Sequence, residues 1–330
     1  MAPMTILDAP VNPGDQLDHY QILSVVVQSP VATLFRATDL RTNREVAIKV
    51  PNPEMESDPT FADRFRREQE IAKRLDHPGI MKVISDADRT KPYIVMEWFE
   101  GKPLRQILEA EKKIEPGRAV RIAVAICNAL DYIHAQGVVH GDLRPENILV
   151  DATDRIQLFD FGGAVKATAR RFTFTKLSQL VGTSEYVSPE ELKGKRGDAR
   201  SDIYSLGIIL YEMLTGSLPF PGSEPFARVS MNPVPPREID PEISPQLQEV
   251  IYRALEKEPP NRYSTAHEFA HDLEHLDQIA VSDRPELRDW KKRPSLPLRK
   301  VFFYGAVALI PIAILGLILY FARHISLRLP

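Results

Sequence analysis

The sequence holds a single cysteine, Cys127, among 330 residues. An intrachain disulfide is therefore excluded, and so are the usual cysteine-based zinc sites. Its neighbours at helical spacing, Ala123, Ile126, Ala129 and Leu130, make Cys127 a core residue rather than a redox group. A charge excess is also lacking: the net charge is −3, which gives no reason to expect a nucleic-acid partner. Met1 to Gln16 carry no basic patch followed by an apolar run, so they do not read as a signal peptide. No internal repeat is apparent. What is present, with 43% apolar residues, is a composition able to bury a sizeable core.

One stretch departs from that composition. Val301 to Ala322 contains no charged residue. As a helix rising ~1.5 Å per residue it would extend roughly 33 Å, enough for a hydrocarbon layer of about 30 Å. Pro311 would kink such a span without excluding it. Arg288, Lys291, Lys292, Arg293, Arg299 and Lys300 precede the run, whereas only Arg323 and Arg328 follow it. The positive-inside rule then sets the large N-terminal part in the cytoplasm, at the cell membrane, with a single pass. Only His324 to Pro330 would lie beyond. Small-xxx-small spacing is absent at Gly305 and Leu309, so the span offers no dimer motif.

From Tyr20 to Met96 the pattern is mainly of short strands. Val25-Val26-Val27, Leu34-Phe35-Arg36-Ala37, Val46-Ala47-Ile48-Lys49-Val50 and Tyr93-Ile94-Val95-Met96 are rich in β-formers. Between them the spacing of Phe61, Phe65, Ile71, Ala72 and Leu75 predicts one helix over Thr60 to Leu75, capped by Asp58 or Thr60 and stopped by Asp76-His77-Pro78-Gly79. Beyond Leu104 the periodicity turns helical. Helices are expected over Pro116 to Ala135, Ser201 to Thr215, Glu242 to Glu256 and Ser264 to Ile279. Prolines crowd Pro219 to Pro245, which reads as loop with short helical pieces. The expected organisation is an N-terminal tail (1–19), a folded domain (20–279), a basic proline-containing linker (280–300), a transmembrane helix (301–322) and a short far-side tail (323–330).

Several motifs follow one another in a set order. Val46-Ala47-Ile48-Lys49 lies on a predicted strand and Glu68 on the inserted helix. His140-Gly141-Asp142-Leu143-Arg144-Pro145-Glu146-Asn147 is followed by Asp160-Phe161-Gly162. Gly182-Thr183 leads to Ser188-Pro189-Glu190, then come Arg200-Ser201-Asp202 and finally Pro260-Asn261-Arg262. Over about Tyr20 to Leu276 the chain resembles the eukaryotic-type protein kinases, and most of all the bacterial membrane-anchored Ser/Thr kinases. The resemblance implies an α+β, bilobal fold: a small β-rich lobe with one helix, and a larger helical lobe.

The resemblance also implies roles. Lys49 would reach the α- and β-phosphates of ATP and pair with Glu68, Glu70 being the less favoured partner. Asp142 would accept or orient the hydroxyl proton, with Arg144 replacing the usual lysine beside the transferring phosphate. Asn147 and Asp160 would hold Mg2+, a cation that takes oxygen ligands and lets phosphate and water complete its shell. Val27 and Ala47 would contact the nucleotide, Met96 would be the gatekeeper, and Glu97-Trp98-Phe99 the hinge along the adenine edge. Asp202 would anchor the catalytic-loop backbone, Arg262 would pair with Glu190, and Thr183 would dock substrate. The implied activity is phosphoryl transfer to Ser or Thr of a protein substrate. The resemblance also admits self-association and autophosphorylation.

Two departures stand against the pattern. The family's G-x-G-x-x-G falls on Val27-Gln28-Ser29-Pro30-Val31-Ala32, and none of its three glycines is present. Added side chains and the missing N–H of Pro30 predict weaker or slower nucleotide handling, or a loop of altered geometry. Gly141 stands where H-R-D kinases have an arginine that receives the activation-loop phosphate. Phosphorylation of Thr173, Thr175 or Ser178 then has less to grip, unless Arg170, Arg171 or Lys176 substitutes. The alternative to an enzyme is a membrane-anchored pseudokinase that senses nucleotide or binds partners. H-G-D-x-x-x-x-N also occurs in small-molecule kinases, but Ser188-Pro189-Glu190, Asp202 and Arg262 belong to the protein-kinase pattern.

Overall fold

The nearly continuous apolar run Val46-Ala47-Ile48-Lys49-Val50 makes a strand buried on both faces, and the small lobe is built around it. The computed structural model describes residues 10–56, 59–84, 89–166, 184–220, 229, 231–282 and 284. Strands β1 (Gln16–Leu17), β2 (Tyr20–Gln28), β3 (Ala32–Asp39), β4 (Arg44–Pro51), β5 (Val83–Ile84) and β6 (Ile94–Glu97) form one antiparallel sheet in the order β1-β2-β3-β4-β6-β5. Successive side chains on a strand point to opposite faces. Ile22, Phe35, Ile48 and Val95 pack on one face, and Leu34, Ala47, Ile94 and Met96 on the other. Lys49 sits opposite Leu34 on β3 and Ile94 on β6, so it shares their face. A one-residue slip in register would turn the lysine away from the cleft.

Two helices follow β4: α1 (Pro53–Glu56) and α2 (Pro59–Ala72). The helix expected over Thr60 to Leu75 is thus present but ends three residues early. Arg74 N–H bonds to Ile71 O and Leu75 N–H to Ala72 O, the tighter i→i−3 pattern with which helices commonly terminate. Thr60 lies inside the helix and is not its cap, and Asp58 falls outside the described residues. Phe65, Ile71 and Ala72 are buried and Glu68 shares their inward side, while Glu70 is exposed.

The larger lobe is helical with short strand pairs at the cleft. Its elements are β7 (Lys102–Pro103), α3 (Leu104–Glu111), α4 (Pro116–Ala135), β8 (Val138–Val139), β9 (Ile148–Val150), β10 (Ile156–Leu158), β11 (Val165–Lys166), α5 (Pro189–Leu192), α6 (Ala199–Thr215), α7 (Pro236–Ile239), α8 (Pro245–Ala254) and α9 (Ala266–Glu274). Helix α4 matches its expected span. Pro116 occupies the first helical position, and the Glu115 carboxylate accepts from Gly117 N–H at 2.8 Å and Arg118 N–H at 2.7 Å. Cys127 on this helix is fully buried, and burial pushes its thiol well above the ordinary range. It is a core residue, as its neighbours suggested.

Helix α6 is buried from Ser201 to Thr215, which explains its lack of a polar face: it runs through the centre of the lobe. Asp198 caps its start and Gly216 its end, the latter at φ +68, where a Cβ would stand 2.7 Å from Lys112 O. Helices α8 and α9 are shorter than the periodic stretches that announced them. Ser244 and Thr265 set their starts, each hydroxyl accepting at 3.1 Å from an N–H three residues on. Among the described residues no helix is long and apolar enough to cross a membrane. The run 301–322 lies outside the described residues.

Candidate active site

The face of the sheet that carries Lys49 meets α2 and the segment after β10, and three charged side chains converge there. Lys49 Nζ lies 2.6 and 2.8 Å from the two Glu68 oxygens and 2.8 Å from Asp160 Oδ1. Lys49 and Glu68 are buried, so neither charge is tolerable without the other. Burial alone would lower the Lys49 ammonium, but Asp160 and Glu68 together raise it. Burial pushes the Glu68 carboxyl up to about 7, with Lys49 opposing and Asp160 adding to the rise. Burial also acts to raise Asp160, yet the adjoining Lys49 holds it below the usual carboxylate range. Lys49 therefore secures the charge of the more open carboxylate.

Asp160 has φ +64, a left-handed conformation that costs a non-glycine residue about 1–3 kcal/mol and persists only where surroundings enforce it. Its Oδ1 accepts from Gly162 N–H at 3.2 Å as well as from Lys49. Phe161 is buried, tilts against the His140 ring at 5.0 Å, and shares an apolar cluster with Ile71 and Ala72 of α2. The small-lobe helix, the lysine strand and the Asp160 segment are thus held as one unit.

The catalytic-loop stretch lies on the helical lobe. Asp202, buried on α6, accepts the N–H groups of His140 and Gly141 at 2.9 Å each and bonds His134 Nε2 at 2.8 Å. Burial opposes its charge, but these bonds and the nearby imidazoles hold its carboxyl below the ordinary value. Gly141 has φ +68, a conformation glycine adopts without the strain another residue would meet. Asn147 Nδ2 donates to Asp142 O at 2.9 Å and lies 3.3 Å from Asp142 Oδ2. Fixing the amide nitrogen on Asp142 directs the Asn147 oxygen away from it. Asn147 and Asp160 each keep one side-chain oxygen outside these bonds, a donor set suited to a hard divalent cation. Among the described residues no cluster of three or more His, Cys, Asp or Glu side chains could hold a metal by itself, so phosphate and water would complete such a shell.

Arg144 is not isolated beside Asp142. Its Nε bonds Glu146 Oε2 at 2.7 Å, and Glu146 Oε1 accepts from Arg105 Nε at 2.9 Å. Arg105 continues to Glu212 Oε1 at 2.8 Å and to the Tyr186 hydroxyl, which itself donates to Glu212 Oε2 at 2.5 Å. Burial acts against the Glu146 charge, but Arg144 and Arg105 bring its carboxyl down to about 2. The sequence gives no sign of Arg105 or Glu212, and none of a role for Tyr186 beyond its place before Ser188-Pro189-Glu190. Their positions lie 41, 107 and 81 residues from their partners, and no local pattern connects them.

An apolar cluster adjoins this charged group. Ala47, Met96, Leu34, Leu149 and Phe159 are among its buried members, with Val27 and Phe99 packed against them. Val27, Ala47, Met96 and Phe99 of the sequence expectation are brought together, and Glu97 is exposed at the end of β6. Leu149 on β9 and Phe159 just after β10 were missed. Gly101 makes room for Phe99, since a Cβ there would stand 2.6 Å from Phe99 Cε1.

One further pair from the sequence reading is present, and a helix cap that it did not foresee accompanies it. Arg262 Nη1 and Nη2 bond Glu190 Oε1 and Oε2 at 2.8 and 2.7 Å, a bidentate, buried contact. Ser188 forms a capping box with Glu191 at the start of α5. Arg170, Arg171, Thr173, Thr175, Lys176, Ser178 and Thr183 lie outside the described residues.

With this geometry in hand, comparison with known proteins agrees on one family. The family described as "Protein kinase domain" matches residues 20–273. The serine/threonine-protein kinase PknB of Mycolicibacterium smegmatis is 37% identical over 288 residues, covering 84% of this chain and 46% of that protein. PknB of Mycobacterium leprae is 38% identical over 265 residues, covering 78% and 42%. The crystal structure of the Mycobacterium tuberculosis PknI kinase domain superposes with a TM-score of 0.63 at 26% identity, covering 81% of this chain and all of that one. The chain spans about half the length of the curated relatives it matches.

Proposed function

This chain belongs to the protein kinase family, and from that premise we propose that it is an ATP- and magnesium-dependent protein Ser/Thr kinase working at the cytoplasmic face of a membrane. The observation that carries the proposal is the convergence of Lys49, Glu68 and Asp160 beside the Asp142–Asn147 pair. Phosphoryl transfer asks for positioning and charge, and these residues supply both. Lys49, steadied by Glu68, takes the phosphates. Asn147 and Asp160 hold magnesium, which when bound neutralises charge on the transferring phosphate. Asp142 takes up or orients the proton of the acceptor hydroxyl, and the Arg144 guanidinium, fixed through Glu146, adds positive charge nearby.

A pseudokinase needs none of this cluster, so its assembly favours the enzyme. The Glu190–Arg262 pair and the Asp202 anchor support a protein rather than a small-molecule acceptor. Membrane attachment rests on residues 301–322 and their basic leading flank. Autophosphorylation and self-association belong to the same proposal. Gly141 removes the usual receiver of an activation-loop phosphate, so activity is expected to depend little on such phosphorylation.

The test is transfer of label from radiolabelled ATP to the chain itself and to a generic basic protein, followed by phosphoamino-acid analysis. Phosphoserine or phosphothreonine supports the proposal. Magnesium-dependent nucleotide binding without any transfer would support the sensing module instead.

A further inference from the structure

The loop that stands in place of the phosphate-binding glycines is a closed turn. Ser29 N–H bonds Ala32 O at 3.0 Å, and the Ser29 hydroxyl donates to the same oxygen at 2.8 Å. That hydroxyl also accepts from Ala32 N–H at 3.1 Å and, at a longer 3.4 Å, from Val31 N–H. Pro30 has no N–H. Every backbone donor from Ser29 to Ala32 is therefore engaged within the turn.

A second residue fastens the turn from outside. Asn52, three positions after Lys49, donates its side-chain N–H to Ser29 O at 2.9 Å and its backbone N–H to Val31 O at 3.0 Å. Its Oδ1 accepts the Thr33 hydroxyl at 3.1 Å. Asn52 thus touches both arms of the hairpin from the end of the strand that carries Lys49. A glycine-rich loop works by leaving its N–H groups free to approach phosphate. This one does the reverse.

We infer that Asn52 is a positioning residue for the nucleotide: with Ser29 it latches the turn shut, so the phosphates of ATP are gripped from Lys49 and the metal side and receive no backbone donor from the loop. The inference rests on the reading of this cleft as the ATP site. It goes beyond the loss of glycines, because it assigns the altered loop a defined state and names the side chains that hold it.

The experiment compares ATP and adenosine affinities by titration calorimetry on the full chain, with magnesium present, for the wild type, Ser29→Gly and Asn52→Ala. Ser29→Gly removes the hydroxyl that occupies two N–H groups. ATP affinity should then rise roughly tenfold, the worth of a charge-assisted bond or two, while adenosine affinity stays unchanged. Asn52→Ala should move the ratio in the same direction but less. A general loss of structure would lower both ligands together and leave the ratio alone. An ATP-to-adenosine ratio unmoved in Ser29→Gly, with transfer activity intact, overturns the latch and leaves the kinase reading standing. No nucleotide binding by the wild type would overturn both.

If the variants fold poorly, amide exchange on the wild type decides the matter. The Ser29 and Ala32 amides should be protected before ATP is added and unchanged after it. Protection that appears only with ATP would overturn the inference.

Discussion

Lys49 Nζ stands 2.8 Å from Asp160 Oδ1, although 111 positions separate the two residues in sequence. The contact joins the β-rich lobe to the helical lobe through one ammonium whose other bonds go to Glu68. Its position is set by strand register on one side and by the left-handed Asp160 backbone on the other. Changes that crowd this junction should therefore act on catalysis before they act on folding.

Gly162→Ala is the mildest such change. A Cβ at that position would lie 3.0 Å from Asp160 Oδ1 and 3.3 Å from Glu68 Oε2, so both carboxylates would have to give. We expect kcat to fall about tenfold or more, as when an active-site group is displaced by a fraction of an ångström to 1 Å. The thermal midpoint should shift by only a few degrees. Steady-state transfer assays and thermal melts on the same preparation check this. An unchanged kcat would contradict the tight packing around the cluster.

Arg262→Ala should do the opposite and strike the fold. It leaves the Glu190 carboxylate in a closed pocket without its bidentate partner, a loss of about 3–5 kcal/mol. Denaturant unfolding measures it directly. A cost below about 1 kcal/mol would place the pair among ordinary surface contacts.

Both of these sites were legible in the sequence. Lys49, Asp142, Asn147 and Asp160 fall in short motifs with fixed spacing, and Glu190 and Arg262 were pairable because each sits in its own motif. Helix α4 was readable to the residue because Pro116 and Gln136-Gly137 punctuate it. Helices α8 and α9 came out shorter at both ends: Ser244 and Thr265 cap their starts inside the expected spans, and α9 stops at Glu274, before a separate 3-10 turn over Leu276–Gln278. The chain of bonds from Arg144 and Glu146 through Arg105 to Glu212 joins three segments by tertiary packing alone. Asn52 was equally silent: an asparagine after a strand reads as a turn residue, and only the folded hairpin shows what it holds.

The Glu146 charge should be visible in acid. Its carboxyl is brought from an ordinary 4.5 to about 2 by Arg144 and Arg105. A depressed folded value means that the stabilisation is complete above about 4.5 and is lost as pH falls toward 2. After allowance for solvent screening it is on the order of 1–2 kcal/mol. Unfolding curves for wild type and Glu146→Gln should differ at pH 7 and converge as the pH drops through this window. A difference that stays constant across it would show that the ion pairs do not set the titration.

Gly141 carries a prediction about control. Without an arginine at that position, the double substitution Thr173→Ala and Thr175→Ala should retain most of the transfer activity. Transfer measured on phosphatase-treated protein should agree with it. Abolished activity in the double variant would mean that another cation receives the phosphate and that the switch survives.

We propose that Lys49, Asp142, Asn147 and Asp160 form a working transfer site although the turn between β2 and β3 has its backbone donors engaged. Asp160→Asn is the sharpest probe, because it removes the charge proposed to hold magnesium while keeping side-chain size. Label from radiolabelled ATP should pass to protein hydroxyls in the wild type and fall to background in Asp160→Asn, with both proteins folded. Equal transfer by the two, or none by the wild type under the same conditions, would contradict the account.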